Sequence, residues 1–182
     1  MSIHIEHHSK LTNQQHLDDI WALLCRYDQA FVPPLSAREN TYQSNLLGGQ
    51  LVAGKPRKYF ETLKEQSFLI ALNEHQRVVG FMSYRPEYVC QDLEDPLETT
   101  YVTTIIVEEE QRGKGITTTF YKTLFARLEP METVTTRTWS TNDDHIHVLM
   151  KLGFEMVKSI EDSRGEGIDT VYFRKTIEGE SD

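Results

Sequence analysis

The stretch IIVEEEQRGKGITTTF, residues 105–120, decides the fold that we predict for this chain. Its first three residues are an unbroken apolar run, which is typical of a strand that is covered on both faces. An acidic bend and a turn with Gly113 and Gly115 follow, and apolar residues then recur at helical spacing from Ile116 to Leu128. The stretch therefore predicts a central strand, a glycine turn and a helix in succession.

The glycine turn predicts an anion-binding site at the end of this strand. Glycine lets the backbone turn tightly and approach a ligand closely. The first turn of the following helix has free N–H groups at the positive end of the helix dipole, which suits a phosphate or pyrophosphate. Arg112 and Lys114 add positive charge, and Thr117–Thr119 add small hydroxyl groups. We infer a site for a phosphorylated cofactor, although two glycines alone would also fit a solvated turn.

The hydrophobic pattern of the whole chain predicts an α/β domain of the mixed α+β kind. Helical spacing occurs at about 14–29 and 116–128, and a further helix is expected at about 57–66. N-cap residues at 140–143 and Gly153 as a C-cap predict a helix at about 143–152. Strand patterns occur at about 3–5, 68–72, 78–84, 101–107, 134–139, 155–160 and 169–177. Residues 85–99 are interpreted as a polar, acidic connection with two prolines. We assign 1–177 to one domain and expect 178–182 to be a frayed acidic tail.

The composition is that of a water-soluble globular protein. The chain has 182 residues, a size that can bury a core without disulfides or a structural metal. Its net charge of −9 opposes binding to nucleic acid or to an anionic membrane surface, so we expect neither partner. Its N-terminus does not resemble a signal peptide, and Cys25 and Cys90 fit no disulfide or metal pattern. We therefore expect a cytoplasmic protein without a metal site.

Two blocks of the sequence resemble the signatures of the GCN5-related N-acetyltransferase (GNAT) family. Residues Arg112–Thr117 are similar to its Arg/Gln-x-x-Gly-x-Gly/Ala signature, and Ile105–Val107 are similar to the strand before it, the family's fourth. The segment Asn142–Phe154, which ends in Lys-Leu-Gly-Phe, resembles the second conserved block. The two blocks occur in the family's order and at its separation, and the order of elements along the chain also fits.

This resemblance implies a central mixed, mostly antiparallel β-sheet that splays between its fourth and fifth strands and is flanked by helices. Acetyl-CoA would lie in the gap as cosubstrate, with its pyrophosphate on the N–H groups of 113–118 and its pantetheine arm along 105–107. A backbone N–H of the fourth strand would polarise the thioester carbonyl. The implied cofactor-binding residues are Ile105, Ile106, Val107, Arg112, Gly113, Lys114, Gly115, Ile116, Thr117, Thr118 and Asn142.

Several positions depart from the family pattern. Thr117 replaces the last Gly/Ala of the first signature, and His145 replaces an alanine that many relatives have in the second block. Leu149 stands where many relatives have a tyrosine that protonates the leaving thiolate, and Tyr101 stands where a glutamate is common. The usual proton-handling residues are thus absent from their usual places. The candidates for proton transfer are Tyr101, Glu98 and His145, with Tyr84 and Tyr88 as further candidates for the base.

The resemblance therefore implies an N-acetyltransferase that transfers an acetyl group from acetyl-CoA to a primary amine by direct attack in a ternary complex. A non-catalytic acyl-CoA-binding or regulatory module on the same fold is the alternative, and an interaction domain that has lost the cofactor is a third. The acidic connection would attract a cationic acceptor, either a small molecule or a protein lysine. The sequence does not identify the assembly, for which we allow a homodimer.

Overall fold

The computed structural model describes residues 2–47, 54–95 and 97–179. The strands are β1 His4–His8, β2 Ser67–Leu72, β3 Val78–Val89, β4 Glu98–Val107, β5 Thr133–Trp139, β6 Glu155–Ile160 and β7 Thr170–Thr176. The helices are α1 Gln14–Arg26, α2 Arg57–Leu63, α3 Ile116–Phe125 and α4 Asp143–Lys151. The order of these elements along the chain is the order that the sequence predicts.

The strands form one seven-stranded sheet in the order β1-β2-β3-β4-β5-β7-β6. All neighbouring pairs are antiparallel except β4 and β5, which are parallel. This parallel pairing is short, since only Thr100–Val102 pair with Val134–Thr136. Beyond Val102 the two strands separate. The prediction of a mixed, mostly antiparallel, splayed sheet is therefore confirmed.

A β-bulge at Thr103 accounts for the separation. Ser83 pairs with Thr104 and Tyr84 pairs with Val102, so Thr103 is an extra residue in β4. A bulge bends the strand that contains it and increases the local twist. The Thr103 hydroxyl donates to Gln66 Oε1 at 2.6 Å, which fixes the extra residue toward β2. β4 consequently turns away from β5 immediately after their last paired residue.

Helices cover both faces of the sheet. On one face, α3 and α4 pack on the sheet through buried residues such as Phe120, Leu124 and Leu149, and Phe154 after α4 joins them. On the other face, α1 and α2 do so through Ile20, Leu24, Tyr59 and Leu63. Ile106 belongs to the second cluster and Val107 to the first, so the end of β4 is buried on both sides. This confirms what its unbroken apolar run predicted.

The structure corrects the interpretation of residues 85–99 as a connection. Both β3 and β4 extend into this segment and pair there, after a second register shift between Arg85 and Tyr88. Pro86 lies within this irregularity, where its missing N–H removes no ladder hydrogen bond. The rings of Tyr88 and Tyr101 stack with their centroids 4.9 Å apart, which stabilises the extended pairing.

Some helix ends and the C-terminal tail differ from the prediction or lie outside the described residues. The helices α1 and α3 each end a few residues before their predicted ends, and turns follow them. Of the predicted acidic tail, residues 180–182 lie outside the described residues. None of the described helices combines the length and the apolar character that a membrane crossing would require.

Candidate functional site

A cavity of about 550 Å³ lies in the split between β4 and β5. Residues 102–107 of β4 and 136–139 of β5 line its two sides. The glycine turn and the first turn of α3 line one end, together with the start of α4. The loop after α1, including Phe31, Arg38 and Thr41, also lines the cavity. The sequence predicted a binding site at this place, between the end of a central strand and the following helix.

The backbone of the glycine turn has a conformation that favours glycine. Gly113 has a φ of 79° and Gly115 has a φ of 75°, both in the left-handed region. A Cβ placed on either residue would meet no atom within 4 Å. Glycine is therefore required here for backbone conformation and not for close packing within the protein. The space beside the turn is open to a ligand.

The N–H groups of residues 113–118 donate to no acceptor in the described part of the chain. The first regular bond of the helix is donated by the N–H of Thr119 to the carbonyl of Gly115, at 2.9 Å. The N-terminus of α3 has no side-chain cap. Six adjacent backbone donors at the positive end of a helix form a cradle that suits a pyrophosphate.

Arg112 connects the glycine turn to its surroundings. Its Nε donates to the carbonyl of Val107 at 3.1 Å, and its guanidinium lies over the Tyr27 ring, 5.1 Å from the centroid. The hydroxyl oxygen of Tyr27 accepts a hydrogen bond from the N–H of Glu109 at 2.8 Å. These contacts hold the glycine turn against the end of β4 on one side and the end of α1 on the other. Lys114 instead donates its Nζ to the Gln111 side chain at 2.7 Å.

All of the predicted cofactor-binding residues except Lys114 line the cavity. Residues 103–107 have no strand partner on the β5 side, so their backbone can pair with an extended ligand. Asn142 lines the cavity and donates its Nδ2 to the Thr138 hydroxyl at 2.9 Å. The side chain of Asn142 is thereby oriented at the start of α4.

The proton-transfer candidates Tyr101 and Glu98 lie outside the cavity lining. Tyr101 is 2% exposed and lines a separate cavity of about 300 Å³ together with Tyr88. Burial raises the pKa of Tyr101 far above its usual value, so its phenol stays protonated at neutral pH. Glu98 is exposed at the first position of β4. Tyr84 also lies outside the lining and shares a hydrogen bond of 2.6 Å with His7 Nε2.

His145 is the one proton-transfer candidate that lines the cavity. Its Nε2 lies 2.8 Å from the Tyr121 hydroxyl, and the two rings stack. Burial lowers the pKa of His145 to about 4, so its imidazole is neutral at pH 7. A group with so low a pKa holds the proton of an amine poorly. Leu149 is fully buried in the core and provides no hydroxyl.

His145 should make the protein less stable in mild acid. Its folded pKa of about 4 is below its unfolded value of about 6.5, so its contribution is complete above that value and is lost as the pH falls toward 4. We expect His145→Gln to reduce the loss in unfolding free energy between pH 7.5 and 5 by about 2 kcal/mol. Urea unfolding at both pH values tests this, with His147→Gln on the exposed face of α4 as control. Equal losses in His145→Gln and wild type would contradict the prediction.

Three arginines that were not predicted from the sequence also line the cavity, namely Arg38, Arg137 and Arg164. The sequence does contain an indication that Arg137 is functional, because it is the one charged residue in a strand otherwise composed of threonine, valine and tryptophan. Arg38 and Arg164 lie in loops, where no periodicity indicates which side chains turn inward. Two aromatic rings, Phe31 and Trp139, also line this region, with their centroids 5.7 Å apart.

Comparison with known proteins agrees with this geometry. The family model described as "Acetyltransferase (GNAT) family" matches residues 30–154. No curated protein sequence matches the chain at a significant level.

Several solved structures are similar in fold. A phosphinothricin acetyltransferase from Sinorhizobium meliloti in complex with acetyl-CoA has a TM-score of 0.64 and 18% identity, over 98% of this chain and 90% of that one. An N-acetyltransferase from Staphylococcus aureus Mu50 has a TM-score of 0.62 and 17% identity, over 98% and 100%. Arabidopsis thaliana NAA60 with a bisubstrate analogue has a TM-score of 0.62 and 16% identity, over 98% and 99%.

Proposed function

This chain belongs to the GNAT acetyltransferase family, and from that premise we propose that it transfers an acetyl group from acetyl-CoA to a primary amine. The observation that carries the proposal is the row of free N–H groups at 113–118, placed at one end of a cavity that continues through the split sheet. A ligand with a diphosphate at one end and an extended arm fits this arrangement. Coenzyme A has this shape, and solved relatives of the same fold bind acetyl-CoA.

The residues of the cavity fit the parts of acetyl-CoA in turn. The N–H groups of 113–118 and the guanidinium of Arg112 would bind the pyrophosphate. The unpaired backbone of 103–107 would pair with the amide-containing pantetheine arm. Asn142 lies across the split from this backbone and can bind the same arm. Bound in this way, the thioester supplies an activated acetyl group.

Direct transfer to the amine is the mechanism that these residues support. The two free cysteines, Cys25 and Cys90, do not line the cavity, so neither is placed to form an acetyl-enzyme intermediate. The cavity extends past the split to the loop after α1, which leaves room for an acceptor beside the thioester. The neutral amine nitrogen would attack the acetyl carbon, the C–S bond would break, and CoA would leave as thiolate. Since free thiols have a pKa near 8.5, that thiolate can leave without a dedicated acid.

A non-catalytic acyl-CoA-binding module on the same fold is the alternative. What supports it is the absence of an evident proton-handling group among the predicted candidates. Leu149 is in the core, Tyr101 is outside the lining, and the pKa of His145 is lowered to about 4 by burial. A binding module would bind acetyl-CoA as well as an enzyme does but would not turn it over.

Two measurements separate these functions. Isothermal titration with acetyl-CoA and with CoA should give binding with a stoichiometry of about one per chain. Release of free thiol in the presence of a broad set of amines should then identify an enzyme. Binding without thiol release for any amine would support the module, whereas absence of binding would contradict both and leave an interaction domain.

A further inference from the structure

Three buried arginines line the cavity, and none of them belongs to the glycine turn. Arg38 is 7% exposed, Arg164 is 6% exposed, and the side chain of Arg137 is 6% exposed. They come from three separate segments, namely the loop after α1, the loop between β6 and β7, and strand β5. The fold therefore brings together three positive charges that are far apart in the sequence.

The hydrogen bonds of Arg38 and Arg164 go to neutral oxygens. Arg38 donates to the carbonyls of Pro33 at 3.0 Å and Val32 at 3.4 Å. Arg164 donates to the carbonyl of Val32 at 2.8 Å and to the Thr170 hydroxyl at 3.0 Å. Within residues 2–47, 54–95 and 97–179, neither arginine forms an ion pair. Both charges are thus buried without a carboxylate within ion-pair distance in that part of the chain.

Arg137 has only a distant carboxylate. It donates to the carbonyl of Gln43 at 2.6 Å and to the Tyr172 hydroxyl at 3.3 Å. Asp92 Oδ2 lies 3.9 Å from its Nη1 and already accepts a hydrogen bond from Tyr172. Asp28, the other buried acid near the loop after α1, accepts both the N–H and the hydroxyl of Ser36. Among the described residues, Asp92 is thus the one carboxylate within ion-pair distance of the three guanidinium groups, and Asp28 acts on Arg38 only from farther away.

Two of the three arginines, Arg38 and Arg164, have lowered pKa values, whereas the pKa of Arg137 is raised by Tyr101, Tyr172 and Asp92 in spite of its burial. Burial, followed by the charges of Arg38 and Arg137, lowers the pKa of Arg164 to about 9. Burial also lowers the pKa of Arg38, and Arg137 adds to this effect. A buried charge is costly unless a group of opposite charge accompanies it. An anionic ligand in the cavity would supply that group.

Each guanidinium also has a donor left for a ligand. In the described part of the chain no acceptor bonds to Arg38 Nη1, Arg137 Nε or Arg164 Nη2. Several guanidinium groups that converge on one cavity are the arrangement that recognises carboxylate and phosphate-like groups. A cationic acceptor was expected from the acidic residues of 87–95 and Glu98. None of these residues lines the cavity between β4 and β5.

We propose that the acetyl acceptor is an amine that also carries an oxoanion, either a carboxylate or a phosphonate or phosphinate, and that Arg38, Arg137 and Arg164 bind this oxoanion. The inference rests on the proposed acetyl transfer and specifies its substrate class. Binding of the oxoanion by these arginines would hold the amine in the same cavity as the thioester. The amine nitrogen then forms the new C–N bond, its proton passes to solvent, and CoA leaves as thiolate. Phe31 and Trp139 form the apolar wall beside this site.

Matched acceptors test the substrate class. Thiol release is measured with L-amino acids and aminoalkylphosphonates, with the corresponding amino acid amides, and with spermidine and a lysine peptide. We expect at least one anionic amine to exceed its neutral amide by about 100-fold in kcat/KM, because the amide cannot form the charge-assisted bonds. Equal or better use of spermidine, the lysine peptide or the amides would overturn the proposal.

Binding of the oxoanion can also be tested without turnover, by using anions that carry no amine. Glutarate and methylphosphonate, which have no amine, are added to protein saturated with CoA, and the melting temperature is followed. We expect both anions to raise the melting temperature of the wild type. This shift should be lost in Arg137→Met and in Arg164→Met, and both variants should keep the wild-type affinity for CoA. The same shift in both variants, or no shift in the wild type, would overturn the proposal. Failure of CoA to bind would instead contradict the acetyl transfer.

Two further variants control for structural effects. Arg174→Met removes a half-buried arginine of β7 that does not line the cavity, and it should retain the anion-dependent shift. Arg137→Lys keeps the positive charge but not the planar pair of donors. Its anion-dependent shift in melting temperature should therefore lie between those of Arg137→Met and the wild type. Because Arg164 and Arg137 contact different segments, a folding defect in one variant leaves the other to decide the outcome.

Discussion

Gly115→Asp should weaken the binding of CoA and acetyl-CoA by about 100-fold or more, which corresponds to roughly 3 kcal/mol. Residue 115 has a φ of 75°, so any side chain there is strained. Its Cβ would enter the open space beside the N–H groups of 113–118. A carboxylate in this space would repel the pyrophosphate and would itself bind the free N–H groups. Isothermal titration with CoA measures the loss.

Two matched variants separate the causes of this loss. Gly115→Ala introduces the backbone strain without the charge and should cost about tenfold or less in affinity. Gly167→Asp places the same side chain at a φ of 74°, also with no atom within 4 Å of its Cβ, in the loop between β6 and β7. It should leave the CoA affinity unchanged. If Gly115→Asp bound CoA as the wild type does, the glycine turn would not be the pyrophosphate site.

Features set by local sequence were predictable. The left-handed turn follows from Gly113 and Gly115, and the two-sided burial of β4 follows from the apolar run at 105–107. Helical periodicity placed α1 and α3, because each buries one face against the sheet, and the capping residues at 140–143 with Gly153 placed α4. These features depend on residues that are neighbours along the chain, so a single sequence contains their signal.

Features set by tertiary contacts were not predictable. The extra residue Thr103 separates β4 from β5, yet nothing in a run of threonine and valine marks a bulge. The extended pairing of residues 85–99 depends on the stacking of Tyr88 on Tyr101 across two strands. The charge of the cavity also differs from that of the whole chain. A net charge of −9 gave no indication of the three arginines that line the site.

The rate of acetyl transfer should rise about tenfold per pH unit from pH 6 until the pKa of the acceptor amine is reached. Only the neutral amine attacks a thioester, and keeping an amine of pKa about 10.4 neutral at pH 7 costs roughly 4–5 kcal/mol. Burial lowers the pKa of His145 to about 4 and raises that of Tyr101 well above its usual value. Neither residue changes its protonation between pH 6 and 9, so the amine's own ionisation should control kcat/KM.

The measurement is kcat/KM against pH for two acceptors whose amines differ in pKa by at least one unit. For the more basic amine, we expect kcat/KM to rise about 100-fold between pH 7 and 9. The pH at which kcat/KM reaches its plateau should follow the pKa of the acceptor amine. His145→Gln should change the height of the profile but not its shape, because the lowered pKa of His145 lies below the range measured. A plateau near neutral pH that is the same for both acceptors would reveal a protein base. In that case proton transfer would depend on a residue of the cavity other than His145.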